Sequence, residues 1–178
     1  LLSGCGIKQY VVPTALSGWE VRQDEIPEAE GIRLYVAPVI GSQGRLWYAG
    51  GSRQWILDRP PAVIVQEALV QGLASMGIDV SSHPDRANAR LEARIRWFAP
   101  YGHSPYAAVV IVSLSLHSLS QDDVLWWGRI RAGRVREPKG IFWGGNVETL
   151  KDVLSEVLTE AVNQLRWKPG FRQALSGL

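Results

Sequence analysis

Cys5 is the one cysteine of the chain, and the residues ahead of it read Leu2-Ser3-Gly4. An apolar residue, two small residues that fit a peptidase cleft and then a cysteine form a bacterial lipobox, in which the thiol accepts a diacylglycerol before cleavage frees the amine. On this reading residues 1 to 4 are the remnant of a signal peptide, and Cys5 carries the lipid anchor with its palmitate-type acyl chains. A lone cysteine has no partner for a disulfide within the chain.

Other side chains offer less chemistry. His83, His103 and His117 stand at no spacing that makes a metal site with cysteine or carboxylates, so neither metal nor cofactor is expected. By the phase of its strand, His117 points to the polar side. Nucleophile-elbow, phosphate-loop, dinucleotide and zinc-protease motifs are absent from the sequence. No pair of carboxylates is set by spacing on facing walls, and an enzyme is not expected.

The basic residues are mostly arginine and fall into two groups, Arg90, Arg94 and Arg96, then Arg129, Arg131, Arg134 and Arg136. A net charge of +2 with a pI near 8.9 is too mild to indicate nucleic acid. Two strands presenting arginine from one sheet would still form a basic surface able to meet phosphate headgroups or an acidic partner. Eight tryptophans are many for 178 residues. Trp126 and Trp127 are adjacent, so one must face outward, and Phe142-Trp143 lies between glycine-rich turns with no periodic reason for burial. Arg94, Arg96, Arg129, Trp126, Trp127, Phe142 and Trp143 are therefore the expected partner-binding residues.

The elements that position them follow from hydrophobic period. With 46% hydrophobic residues the chain can bury one core, and no apolar run reaches the length of a membrane span. Residues 6–30, with Pro13, Gly18, Pro27 and an acidic cluster, keep no period and read as a tether; the domains are thus residues 1–30, anchor and tether, and 31–178, one periplasmic domain. Ile32, Leu34 and Val36 alternate as a strand that stops near Pro38, and RLWYAGGSRQWIL reads as a short hairpin or a loop. Pro60 and Pro61 open a helix through Val65, Leu69, Gly72, Leu73 and Met76, closed by Gly77. ARLEARIRWFA places Leu91, Ala93, Ile95 and Trp97 on one face and Arg90, Glu92, Arg94 and Arg96 on the other. AAVVIVSLSLHSL and VLWWGRIRAGRV complete a three-strand meander. Asn146 caps a long helix whose stripe runs Val147, Leu150, Val153, Leu154, Val157, Leu158, Ala161 and Leu165, before Pro169-Gly170. Strand, helix, three strands and helix make an α+β two-layer sandwich, an antiparallel-rich sheet with both helices packed on one face.

LLSGC, PPAVIVQEALVQGLASMGIDV and NVETLKDVLSEVLTEAVNQL together resemble the YajG-type lipoproteins and, more loosely, the auxiliary lipoproteins of ABC-type lipid transport systems. The likeness spans nearly everything after the lipobox. The architecture is also similar to small lipoproteins of outer-membrane assembly, although the aromatic-basic segment that follows the cysteine in the one plugging the lipopolysaccharide export barrel is absent here. This resemblance implies a cell-envelope accessory protein without catalysis, and only Cys5 carries over as a functional position.

The expectation is thus a non-enzymatic lipoprotein on the periplasmic face of the outer membrane, since Gly6 rather than Asp follows the cysteine. It would act as an accessory or binding subunit of an envelope transport or assembly system, meeting a protein complex or an anionic lipid or glycan. A different class of reading is an oligomeric ring subunit around an outer-membrane exporter of polysaccharide or protein, joined through edge strands and exposed tryptophans.

Overall fold

Proline fixes φ and gives up an N–H that a first helical turn leaves unbonded anyway, so Pro60 and Pro61 start a helix without loss. In the computed structural model Pro60 is extended, with φ −61° and ψ 143°, and the helix runs Pro61–Ser75. It ends where Gly77 takes φ 84°, a left-handed conformation that glycine adopts without steric cost. The structure describes residues 8–12, 26–41, 46–50, 53–101, 105–121, 123–137 and 147–178.

In chain order these form β1 (Lys8–Val12), a 3₁₀ turn (Pro27–Ala29), β2 (Arg33–Val36), β3 (Leu46–Gly50), β4 (Arg53–Leu57) and α1 (Pro61–Ser75). Then come β5 (Asp79–Ser81), β6 (Ala89–Tyr101), β7 (Tyr106–Ser118), β8 (Val124–Arg136), α2 (Val147–Asn163), a 3₁₀ turn (Gln164–Trp167) and α3 (Pro169–Ser176). The main sheet has the order β5-β2-β6-β7-β8, with β2 parallel to both neighbours and β6, β7 and β8 antiparallel. A smaller sheet, β1-β4-β3, sets β1 parallel to β4 and lies with β1 against α2 and β3 against β6. The expected two-layer α+β sandwich, helices on one face and an antiparallel-rich sheet on the other, is the architecture observed.

The core lies between α1, α2 and the inner face of the meander. Leu69, Leu73, Met76, Ile95, Val112, Leu114, Leu154 and Leu158 are all buried in it. Gly72 sets the approach of the two helices: a methyl group there would come 2.2 Å from Val162 Cγ1.

Two details of the sheet differ from simple alternation. The β6–β7 register shifts between Ile95 and Trp97, leaving Arg96 without a partner, so that the strand changes phase. Phe98 and Pro100 are buried in place of Trp97, which was expected in the core and is 53% exposed. The segment after β2 follows β6 up to this bulge: Ile40 N–H donates to Ala93 O, and Ile95 N–H donates to Ile40 O at 2.8 Å. Gly41, φ 121°, closes the run where a Cβ would lie 2.9 Å from Ile95 O.

On the outer strand β8, the Gln164 side chain binds both backbone groups of Arg131. Arg131 N–H donates to Gln164 Oε1 at 3.1 Å, and Gln164 Nε2 donates to Arg131 O at 2.6 Å.

Of residues 6–30, expected to form a tether, Lys8–Val12 is paired with β4, and Ile26 and Ala29 are buried in the core. Ile26 N–H donates to Met76 O at 2.9 Å, and Arg172 of α3 donates to Glu28 Oε1 at 2.5 Å. That bond, with help from a backbone N–H, holds the Glu28 carboxyl below the ordinary glutamate range. Asn146, expected to cap the long helix, lies outside the described residues.

Candidate functional site

The helices cover one face of the main sheet, and strand alternation turns every second residue of the meander to the other. The register lines these outward residues up across three strands. Arg94 of β6, Ser113 of β7 and Arg129 of β8 form one lateral row. Glu92, Ser115 and Trp127 form the next, and Arg90 pairs with His117 beyond it. Because adjacent strands lie ~4.8 Å apart, the Cα atoms of Arg94 and Arg129 stand about 10 Å from one another with Ser113 between. Arg96, freed by the bulge, donates from Nε to Ser113 Oγ at 3.0 Å. The Arg94 and Glu92 rows, with Arg96, line a concavity of about 320 Å³ that also includes Ile40.

The charges on this face are sorted. Glu92 accepts from Arg90 at 3.1 Å and stands 3.6 Å from His117 Nε2, so its charge is already answered. Among the described residues no carboxylate lies within salt-bridge distance of Arg94, Arg96, Arg129 or Arg131. Arg134 and Arg136, grouped with Arg129 by sequence, fall on the opposite phase of β8. They meet α2 instead, Arg134 with Glu160 at 2.8 Å and Arg136 with Glu156 and, at 3.6 Å, Asp152.

The two adjacent tryptophans divide as their spacing requires. Trp127 is 79% exposed beside Arg129. Trp126 turns inward: its ring meets Phe171 edge to face at 5.2 Å and lies against Gly128 and Gly170, which leave it room. Trp126 is therefore a packing residue under α3 and not part of the outer concavity. Cys5, Phe142 and Trp143 lie outside the described residues. Ser113, Ser115, Glu92 and Ile40 line the concavity and were not selected by sequence reading. The alternation of Ser113, Ser115 and His117 in β7 carried a signal for the first.

Ser115, His117 and Glu92 do not form a nucleophile relay. Ser115 Oγ, 3.0 Å away, and Glu92 both address Nε2 of His117, whereas such a relay uses the two ring nitrogens separately. Among the described residues no group of His, Cys, Asp or Glu could hold a metal ion, and no helix is long and apolar enough to cross a membrane. The concavity sets guanidinium groups without carboxylate partners beside an exposed indole.

No family model and no curated protein matches the sequence. Solved structures do share the fold. A Xanthomonas campestris protein of the DUF330 family aligns over 95% of this chain and 99% of its own at 16% identity, with a TM-score of 0.64. An uncharacterized protein aligns over 80% and 94% at 16% identity and a TM-score of 0.56. A minor lipoprotein from Acinetobacter baumannii aligns over 79% and 92% at 9% identity, with a TM-score of 0.44. At these identities the likeness is one of fold, to uncharacterised bacterial proteins.

Proposed function

We propose that the chain is a non-enzymatic lipoprotein of the YajG type, anchored by acylated Cys5 on the periplasmic face of the outer membrane. It serves as an accessory or binding subunit of an envelope transport or assembly system. The observation that carries this reading is the sorting of arginines. Those on the helix side are spent on α2 carboxylates, while Arg94, Arg96 and Arg129 have no carboxylate partner among the described residues and stand beside Trp127 on the uncovered face, where charge-assisted hydrogen bonds and stacking area are offered together. Residues 1–30 bring the anchor and 31–178 the body of the domain, with Lys8–Val12 and Ile26–Ala29 as the attachments between them.

The test is fractionation of cells producing the chain with its native signal. Wild type takes up labelled acyl chains and sediments with outer membranes; Cys5→Ser takes up none and becomes soluble. Retention of the unacylated variant in membranes defeats the anchor. Crosslinking from the outer face should then capture an envelope complex in wild type and not in Arg94→Glu/Arg129→Glu.

A second reading, the exporter ring subunit, draws on exposed Trp97 and on Val135, 68% exposed at the far end of the same face. Light scattering of the purified chain decides it, since a monomer at all concentrations speaks against a ring.

A further inference from the structure

The row Arg94–Ser113–Arg129 has the composition of an anion clamp, two guanidinium groups with a hydroxyl between them. A guanidinium fork matches the oxygens of phosphate better than an ammonium does. Ser113 Oγ already accepts from Arg96, so its own O–H is left to donate, and Ser113 lines the same concavity. Its rim is unlike that of a site for a small soluble ion. Ile40, 57% exposed, bridges to Arg94 at one end of the row, and Trp127 stands next to Arg129 at the other. A lone phosphate ion gives these apolar groups nothing to cover, whereas a phosphate carried on glycerol and acyl chains does.

Chain length brings such a group near the domain, on the side where β1 meets α2. Lys8 begins β1 three residues after Cys5, and consecutive Cα atoms are about 3.8 Å apart, so an acylated Cys5 lies within about 11 Å of the folded domain. A domain of this length is about 40 Å across. Membrane headgroups are thus the nearest dense source of phosphate.

We propose that the outer face binds the phosphate of an anionic phospholipid at the membrane surface, clamped by Arg94 and Arg129 across Ser113, with Ile40 and Trp127 against its glycerol and upper acyl region. This rests on the anchored-lipoprotein reading and gives its uncovered face a ligand class.

The experiment uses the full chain carrying Cys5→Ser, so that no acyl anchor contributes, with vesicles of phosphatidylcholine alone or mixed with phosphatidylglycerol. Binding to the mixed vesicles and not to phosphatidylcholine is expected. Arg94→Gln and Arg129→Gln should each weaken it about fivefold, the worth of one arginine at an anionic surface, and Arg131→Gln, on the same face outside the row, by under about twofold. Equal losses at all three arginines mean a diffuse field and overturn the clamp; no loss at Arg94 and Arg129 overturns the site. If glycerol phosphate in solution moves the Arg94 and Arg129 side-chain resonances while vesicles do not bind, the ligand is a soluble phosphate ester and the lipid assignment fails. Failure of all vesicle binding removes this inference alone, because the anchor and accessory reading is decided by fractionation and crosslinking of the acylated chain.

Discussion

Charge reversal at two pairs of arginines separates a free face from a structural one. On the outer face, Arg94→Glu/Arg129→Glu removes no ion pair among the described residues. Exposed substitutions of this kind lie within about 0.5 kcal/mol, and the new charge two residues from Glu92 on the same face costs a few tenths more, roughly 0.3 kcal/mol. The sum stays under about 1.3 kcal/mol, a Tm shift of under about 5 °C for a chain of this size. On the helix face, Arg134→Glu/Arg136→Glu breaks the contacts to Glu160, Glu156 and Asp152. Half-exposed pairs contribute about 0.2–1 kcal/mol each, and the reversed charges then repel the same three carboxylates by a similar amount. The loss is about 3 kcal/mol, or roughly 6–12 °C. Thermal melts in low and high salt measure both, and only the second difference should shrink as salt screens it. Early unfolding of Arg94→Glu/Arg129→Glu, with a Tm shift as large as that of the helix-face variant, would make the outer arginines structural and remove the ground for a partner surface.

Three further outcomes test the fold and its attachments. Leu154→Ala should lower unfolding free energy by about 2–5 kcal/mol in urea titrations, since Leu154 is buried between α2 and the sheet; a cost below about 1 kcal/mol would detach the helix from the core. Gly72→Ala gains about 1 kcal/mol of helix propensity yet overlaps Val162, for a net loss of about 1–2 kcal/mol that Val162→Ala should partly rescue. Additive single effects would mean that the two helices have slack there. The lowered pKa of Glu28 means that its bond to Arg172 stabilises the fold above the unfolded glutamate pKa, and that this is lost as pH falls through the lower folded value. Glu28→Gln should therefore flatten the acid limb of a stability–pH profile, and an unchanged slope would count against the pair.

What the sequence disclosed depended on how strongly burial dictates period. The stripe from Leu150 to Leu165 and the alternation of β7 could be read directly, because a shift of one residue would expose the whole apolar set. The bulge could not. Trp97-Phe98 offers two adjacent apolar residues, either able to follow Ile95 inward, and the choice falls to Phe98 because Arg96 is extruded where Ile40 and Gly41 leave β6. Arg94 and Arg129 could be placed on the outer face by phase alone, but their alignment across Ser113 is a matter of register between distant segments. The sorting of Arg134 and Arg136 toward α2 was likewise hidden, although odd and even positions of β8 already implied two faces.

The bond pair between Gln164 and Arg131 has a consequence for assembly. An amide side chain presents one acceptor and one donor at the spacing of a peptide group, so Gln164 acts as a single rung of a missing sixth strand. A β-strand from another molecule that tried to extend the sheet at β8 would meet this rung in the middle of the edge. It could zip only along the short stretches to either side, and the arginines along β8 make those stretches poor templates. Growth by strand addition is thus closed at the β8 end of the sheet, and a second copy adding a strand would have to do so at β5, the opposite edge.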